Sequence, residues 1–198
     1  LRVYMRHLPF LLRVASIALI IIVIARPQSV NSWEETETQG IDIVLALDVS
    51  GSMLSQDLQP DRLQAAKKVA SEFVVDRKND NIGLVVFAGE SFTQCPLTTD
   101  HKVLLNLLND IEFGIIEDGT AIGLGLATSV NRLKDSESDS RVVILLTDGT
   151  NNSGQIAPLT AADLARSYGI RVYTVGVGTT GMAPTPVQTP FGIRMQNM

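Results

Sequence analysis

The sequence predicts an α/β domain of the doubly wound, Rossmann-like type, with a mainly parallel central sheet and a transmembrane helix before it. From residue 40 to residue 178, apolar runs of strand length alternate with amphipathic stretches of helix length. The main runs are apolar almost throughout, which is typical of strands that are buried on both faces of a sheet. Ahead of this pattern, residues 8–25 are apolar except for Arg13 and the small polar Ser16.

Residues 1–27 are predicted to form a membrane anchor, with a helix over about 8–25. That stretch approaches the roughly 20 apolar residues that a bilayer core requires, provided that Arg13 lies near one interface. A cleaved signal peptide is the alternative, but no small-residue cleavage site follows Ala25, and the chain continues with Arg26. Most of the basic residues of this segment precede the apolar run, so we expect the domain on the extracytoplasmic (periplasmic) side of the cell membrane.

The charge distribution and the cysteine content exclude some classes of partner and of metal site. The net charge is −5, yet residues 1–27 contain four arginines and no acidic residue, so the rest of the chain is strongly acidic. This distribution argues against a nucleic-acid partner and suits a domain that binds cations. The single cysteine, Cys95, excludes an internal disulfide and a thiolate metal cluster. A packing role is favoured for it over a redox role.

The elements follow in order after a polar linker at residues 28–39. Strands are predicted at residues 41–47, 82–88, 91–96, 141–147 and 170–177. Helices are predicted at residues 61–77, 100–111, 119–133 and 161–168. We expect 91–96 to be an edge strand that Pro96 closes, the other strands to form the core, and Asp42 to face solvent. Residues 179–198, with three prolines, are expected to be irregular, so that the domain (40–198) lacks a last strand and helix and appears truncated at its C-terminus.

Oxygen-bearing side chains follow two of these strands and precede one helix. Asp48, Ser50 and Ser52 form a D-x-S-x-S pattern after the first strand, Asp148 follows the strand 141–147, and Thr120 opens the helix at 119. Ligands of doubly wound sheets bind at the carboxyl ends of the strands, where the strand order changes direction. Carboxylates and hydroxyls are hard donors that suit Mg²⁺, or alternatively Mn²⁺ or Ca²⁺.

A purely structural interpretation has the two serines capping a helix and Asp148 closing a turn. Three such clusters at corresponding positions favour the metal site instead. Two carboxylates and three neutral hydroxyls leave the ion electrophilic, with a coordination position open. We therefore expect a protein partner that offers an Asp or Glu carboxylate.

The same residues resemble a known motif. D-V-S-G-S-M at 48–53, D-G-T at 118–120 and T-D-G at 147–149 are similar to the metal-ion-dependent adhesion site (MIDAS) of von Willebrand factor A (VWA) domains. The resemblance covers residues 40–178. It implies that Ser50, Ser52 and Thr120 touch the metal ion and that Asp48 and Asp148 act directly or through water.

A narrower resemblance is to the bacterial aerotolerance (BatA/BatB-like) membrane proteins. It rests on L-P-F-L-L-R at 8–13, A-R-P-Q at 25–28, D-L-Q-P-D-R-L at 57–63 and the segment at 82–98. It implies further membrane helices on both sides, a role in an oxidative-stress or aerotolerance-type envelope complex, and related VWA proteins and a chaperone-like ATPase as partners.

Three functions are compatible with these residues. The favoured one is a binding module that captures a partner's carboxylate through the metal ion, without turnover. The alternatives are a Mg²⁺-dependent hydrolase or phosphatase and a scaffold in which the ion is only structural. Aspartyl-phosphate hydrolases usually place a second acid where Ser50 stands, and the cluster has no general base apart from the carboxylates that the metal needs, so an enzyme is not expected.

Overall fold

The computed structural model describes residues 2–25, 40–149, 151–179, 184–189 and 192–197. The chain forms two compact units, Leu1–Glu37 and Thr38–Met198. The predicted linker at residues 28–39 lies outside the described residues.

The first unit contains one long helix, α1 (Arg2–Ala25). It includes the helix predicted for 8–25 and begins six residues earlier. Its described large apolar side chains are exposed, from 50% at Val14 to 75% at Ile24. Within the described part of the chain, no helix combines the length and the apolarity required to span a membrane. The helix is therefore confirmed, whereas its membrane-spanning role is not.

The second unit is built on a five-stranded sheet, which confirms the α/β class. The order is β3-β2-β1-β4-β5, with β3 antiparallel to β2 and the other neighbours parallel. The strands are β1 (Asp42–Asp48), β2 (Asn81–Phe87), β3 (Ser91–Thr98), β4 (Arg141–Thr147) and β5 (Arg171–Gly176). Every residue of β1 is buried, as its apolar run predicts for the five residues from Ile43 to Leu47. The strand order changes direction between β1 and β4. Ligands of such folds bind at the carboxyl ends of the strands beside this switch point.

Two layers of helix cover the sheet. The helices are α2 (Arg62–Val75), α3 (His101–Asn109), α4 (Ile122–Leu133) and α5 (Pro158–Ser167). Core residues of α2 and α3 pack on one face, and those of α4 and α5 pack on the other. The predicted cap at Asp100 is confirmed, because its carboxylate accepts the backbone N–H groups of Lys102 and Val103.

Three sequence predictions need correction. β5 lies at an edge of the sheet and is largely exposed (Tyr173 at 55%), so it is not a core strand within the described residues. β3 is an edge strand, as predicted, but it continues beyond Pro96 to Thr98. Asp42 does not face solvent: it is 6% exposed and accepts hydrogen bonds from Asn81 and Ser136. Those two donors satisfy a carboxylate that the local pattern alone would place outside.

The prediction of an irregular segment at 179–198 is also wrong for most of its described residues. β6 (Pro184–Thr189) and β7 (Gly192–Asn197) form an antiparallel pair. A two-stranded sheet tolerates proline because each strand leaves one edge unpaired. The pair is held near the loop after β1, since Gln56 N donates to the Pro184 carbonyl over 3.0 Å.

Candidate metal centre

The candidate site begins with Asp48, the last residue of β1. Its side chain is fully buried, and both oxygens are held in place. Oδ1 accepts the backbone N–H of Ser50 at 2.9 Å, and Oδ2 accepts the Thr147 hydroxyl of the neighbouring strand at 2.5 Å. The carboxylate is thus fixed by its own loop and by β4.

The two serines of the D-x-S-x-S pattern stand side by side at the start of a short 3-10 helix, Gly51–Leu54. Their hydroxyl oxygens are 3.1 Å apart. Ser52 Oγ also donates to Asp148 Oδ1 over 2.7 Å. Neighbouring ligands of an octahedral Mg²⁺, each about 2.1 Å from the ion, are separated by roughly 3 Å. The serine pair has the spacing of two such ligands.

Thr120 joins this group through the loop after β4. A Cβ built on Gly149 would lie 3.7 Å from Thr120 Oγ1 and 3.9 Å from Ser52 Oγ, so both hydroxyls face the bare side of that glycine. The backbone of Thr120 is fixed by Asn152, whose side-chain oxygen accepts the Thr120 N–H at 2.8 Å. The structure therefore gathers all five predicted residues at the ends of β1 and β4 and the start of α4.

Asp118, the first residue of D-G-T, is not among the five predicted ligands but lies in the same cluster. Its Oδ1 accepts the Gly51 N–H at 2.8 Å and the Gly119 N–H at 2.9 Å. It thereby connects the loop that contains Ser50 and Ser52 to the loop that contains Thr120. Gly119 has a φ of 139°, and a Cβ there would lie 2.5 Å from Ser153 Oγ, so the turn requires glycine.

Arg62 is the second residue that sequence reasoning missed. Its Nη1 donates to Asp148 Oδ2 over 2.6 Å, while its Nε and Nη2 hold both oxygens of Asp57 at 2.7 and 2.9 Å. Its sequence signals were its place in D-L-Q-P-D-R-L at 57–63 and at the start of the helix predicted for 61–77, where surface arginines are common. Nothing local indicated that it would reach a residue 86 positions away.

The electrostatics of the site follow from burial and from this arginine. Burial raises the pKa of Asp48 above its usual value, and the hydrogen bonds from Ser50 and Thr147 only partly oppose the shift. The hydrogen bonds from Arg62 hold the pKa of Asp57 well below its usual value. The pairing with Asp57 in turn raises the pKa of Arg62, which stays charged.

The residues present fit a divalent ion of the hard, oxygen-binding class. Three hydroxyls and two carboxylates are collected, both carboxylate side chains are fully buried, and the bare face of Gly149 leaves room beside two of the hydroxyls. In the described residues there is no group of three or more His, Cys, Asp or Glu that could hold a metal ion. A site here depends on hydroxyls, as the D-x-S-x-S pattern predicts.

A cavity of about 420 Å³ opens next to these residues. Arg62, Asp148 and Gly149 line it on one side, and the residues from Thr174 to Thr179 line it on the other.

Known proteins are similar to this chain in sequence. A protein from Borreliella burgdorferi is 37% identical over 142 residues, which are 71% of this chain and 42% of that protein. A UPF0353 protein from Mycolicibacterium paratuberculosis is 30% identical over 189 residues, which are 89% of this chain and 56% of that protein. The chain therefore spans about half the length of these relatives.

Solved structures of several proteins superimpose on this chain. An aerotolerance-related membrane protein from Bacteroides fragilis (a form with multiple mutations to serines) and BatB from Bacteroides thetaiotaomicron each superimpose with a TM-score of 0.71 at 36% identity. Both matches cover 80% of this chain, and they cover 82% and 80% of the respective structures. Proximal thread matrix protein 1 from the mussel byssus, with zinc in its MIDAS motif, superimposes with a TM-score of 0.61 at 30% identity, over 71% of this chain and 36% of that one.

These matches confirm the resemblance to aerotolerance (BatA/BatB-like) proteins. The family model for the von Willebrand factor type A domain matches residues 42–185, which is well over half of the sequence. The chain belongs to the von Willebrand factor type A domain family.

Proposed function

We propose that the domain is a divalent-metal-dependent protein-binding module that captures a carboxylate of its partner without turnover. Ser50, Ser52 and Thr120 would hold Mg²⁺ (or Mn²⁺ or Ca²⁺) directly, and Asp48 and Asp148 would act directly or through water. The bound ion would supply a Lewis-acidic position that an Asp or Glu of the partner completes.

One observation supports this proposal above the others: the serine hydroxyls lie 3.1 Å apart, and one of them donates to Asp148. Because the single Ser52 proton points to Asp148, Ser50 is the donor within the serine pair, and one lone pair of Ser52 Oγ stays available to a cation. The Asp48 carboxylate is held in the same way by a backbone N–H and by the Thr147 hydroxyl. The protein thus presents its oxygens in a fixed arrangement before an ion arrives, which lowers the cost of binding.

The metal-dependent step is tested on the full chain in detergent. Titration calorimetry with Mg²⁺ should show binding by the wild type and none by Asp48→Ala. Capture of partners from membranes should require Mg²⁺, stop in chelator and fail for Asp48→Ala. The matched control is Asp163→Ala, an exposed aspartate of α5, which should behave like the wild type.

Two outcomes would overturn the proposal in favour of another function. If Asp48→Ala captures partners normally and only melts at a lower temperature, the ion serves as a scaffold. If the purified wild type releases phosphate from a phosphoester and Asp48→Ala does not, the domain is a hydrolase.

We also propose that α1 anchors the domain to the cell membrane, with the domain on the extracytoplasmic side. The described apolar side chains of α1 are exposed, and one similar structure is that of a protein named as a membrane protein. Such a surface is costly in water and favourable in lipid. Extraction with alkaline carbonate should leave the full chain in the membrane pellet, and release to the supernatant would contradict the anchor.

The cellular setting is proposed on resemblance alone. It is an envelope complex of the oxidative-stress or aerotolerance type, with related VWA proteins and a chaperone-like ATPase as partners. Co-purification of such proteins with the wild type but not with Asp48→Ala would support it.

A further inference from the structure

Arg62 lies between two buried carboxylates, one of which belongs to the candidate metal centre. The side chains of Arg62, Asp57 and Asp148 are 13%, 7% and 0% exposed. The guanidinium uses its Nε edge for Asp57 and its Nη1 atom for Asp148. This is a two-sided bridge in which a single cation compensates two acids.

Both oxygens of Asp148 are occupied as a result. Oδ1 accepts the Ser52 hydroxyl at 2.7 Å, and Oδ2 accepts Arg62 at 2.6 Å. If Asp148 turned to place an oxygen directly on a cation, at least one of these bonds would have to break. The bond to Arg62 joins two opposite charges, whereas the Ser52 donor is neutral, and the bond to Arg62 is therefore the more costly to lose.

Arg62 is itself held from behind. Asp57 Oδ2 accepts the Thr179 backbone N–H at 2.7 Å and its hydroxyl at 3.0 Å, in addition to Arg62. A Cβ built on Gly178 would lie 3.0 Å from Arg62 Nε, so the backbone after β5 closes over the guanidinium. The arginine cannot follow Asp148 if that side chain moves.

We propose that Arg62 is a positioning residue that keeps Asp148 out of direct contact with the metal ion and limits how tightly the site holds that ion. This inference rests on the proposed function above. The positive charge of Arg62 repels a metal ion that binds nearby, and the hydrogen bond from Arg62 holds Asp148 in place. Because the ion then has one anionic protein ligand fewer, it binds the carboxylate of a partner more tightly.

A restraining role and a purely structural role for Arg62 predict opposite changes in metal affinity when the arginine is replaced. If Arg62 only braced the loops, its loss would disorder Asp148 and weaken metal binding. If it restrains Asp148, its loss strengthens metal binding, because one repulsive charge disappears and an anionic ligand becomes available.

The test compares Arg62→Gln with the wild type, using the full chain in detergent. Calorimetry should show that Mg²⁺ binds Arg62→Gln about three- to tenfold more tightly than the wild type. With Mn²⁺ as the probe, water-proton relaxation should report one coordinated water fewer, since Asp148 displaces it. Acetate or glutarate added to the Mn²⁺-loaded protein should bind the variant more weakly.

Two further variants serve as controls. Arg77→Gln removes an arginine that is 43% exposed and pairs with Asp80, and it should leave Mg²⁺ affinity unchanged. Arg62→Lys keeps the charge but loses the two-sided bridge, so it should give an intermediate affinity.

The inference is overturned if Arg62→Gln binds Mg²⁺ more weakly than the wild type, or no differently from Arg77→Gln. Failure of the proposed function looks different, because the wild type itself would then bind no Mg²⁺ and would match Asp48→Ala.

Discussion

Ser52 donates a hydrogen bond of 2.7 Å to Asp148, although 96 positions separate the two residues in the sequence. The bond connects the loop after β1 to the loop after β4, which are the two loops at the switch in strand order. It also fixes the direction of the Ser52 proton. Two of the five proposed ligands therefore depend on each other before any ion is present.

Replacing Ser52 with alanine should weaken both the fold and the metal site. Asp148 Oδ1, which is buried, would lose its donor, and we expect a loss of about 1–3 kcal/mol in the free energy of unfolding without metal. Mg²⁺ affinity should fall by about 10–100-fold. Urea unfolding and calorimetry measure the two effects. Ser167→Ala, which removes an exposed hydroxyl of α5, should change neither quantity.

Asp48→Asn should make the metal-free domain more stable at neutral pH while abolishing its response to Mg²⁺. Burial raises the pKa of Asp48 in the folded state above 3.8, so its contribution to stability is fully present below pH 3.8 and is lost as the pH rises through the folded-state pKa. At pH 7 the wild type therefore bears the cost of a buried charge that the amide avoids. The amide can still accept from Ser50 and donate to Thr147.

Thermal unfolding in chelator at several pH values checks this prediction. The variant should melt a few degrees higher at pH 7, and the difference should vanish toward pH 3.8. Added Mg²⁺ should raise the melting temperature of the wild type alone. A variant that is less stable than the wild type at pH 7 would show that the ionised carboxylate is not a burden to the metal-free fold.

Much of the fold could be predicted because the relevant signals are local. The unbroken apolar run of β1 and the cap at Asp100 each reflect contacts within a few residues. The candidate ligands could be predicted because parallel strands end at a common edge, so Asp48 and Asp148 had to meet once the sheet was recognised.

Other features could not be predicted because the residues concerned pair with residues that are distant in the sequence. Asp42 is buried by virtue of Ser136, which lies 94 positions away, and Arg62 finds Asp148 over 86 positions. A charged residue near the start of a strand or helix is ordinarily solvated, and only the folded chain shows which one has found a counterpart. The β6–β7 pair was missed because three prolines in a short tail indicate irregular structure locally.

Lys67→Met should destabilise the domain although methionine has a similar length. Lys67 is 6% exposed, and its Nζ donates to the carbonyls of Asn109 and Ile111, both at 2.7 Å, where α3 ends. Methionine fills the space but leaves both carbonyls without this donor, which should cost about 2 kcal/mol in the free energy of unfolding. Lys68→Met, at the exposed neighbouring position, is the control in urea unfolding, and an equal effect of both variants would contradict a specific role for Lys67.

Gly125→Ala should damage the metal centre from a distance by moving α4. A Cβ at this position would lie 2.6 Å from Cγ and Cδ1 of Phe87, a fully buried side chain of β2. Because the ring is fully buried and protein interiors are close-packed, we expect the helix to shift away from the sheet, at a cost of about 1–3 kcal/mol. Thr120 stands two residues before α4 and would move with it, so Mg²⁺ affinity should fall as well. Gly176→Ala is the matched control, because a Cβ there meets nothing within 4 Å. Urea unfolding and Mg²⁺ titration should show losses of stability and affinity for Gly125→Ala but not for Gly176→Ala. If Gly125→Ala binds Mg²⁺ as tightly as the wild type, the position of α4 does not govern the Thr120 ligand.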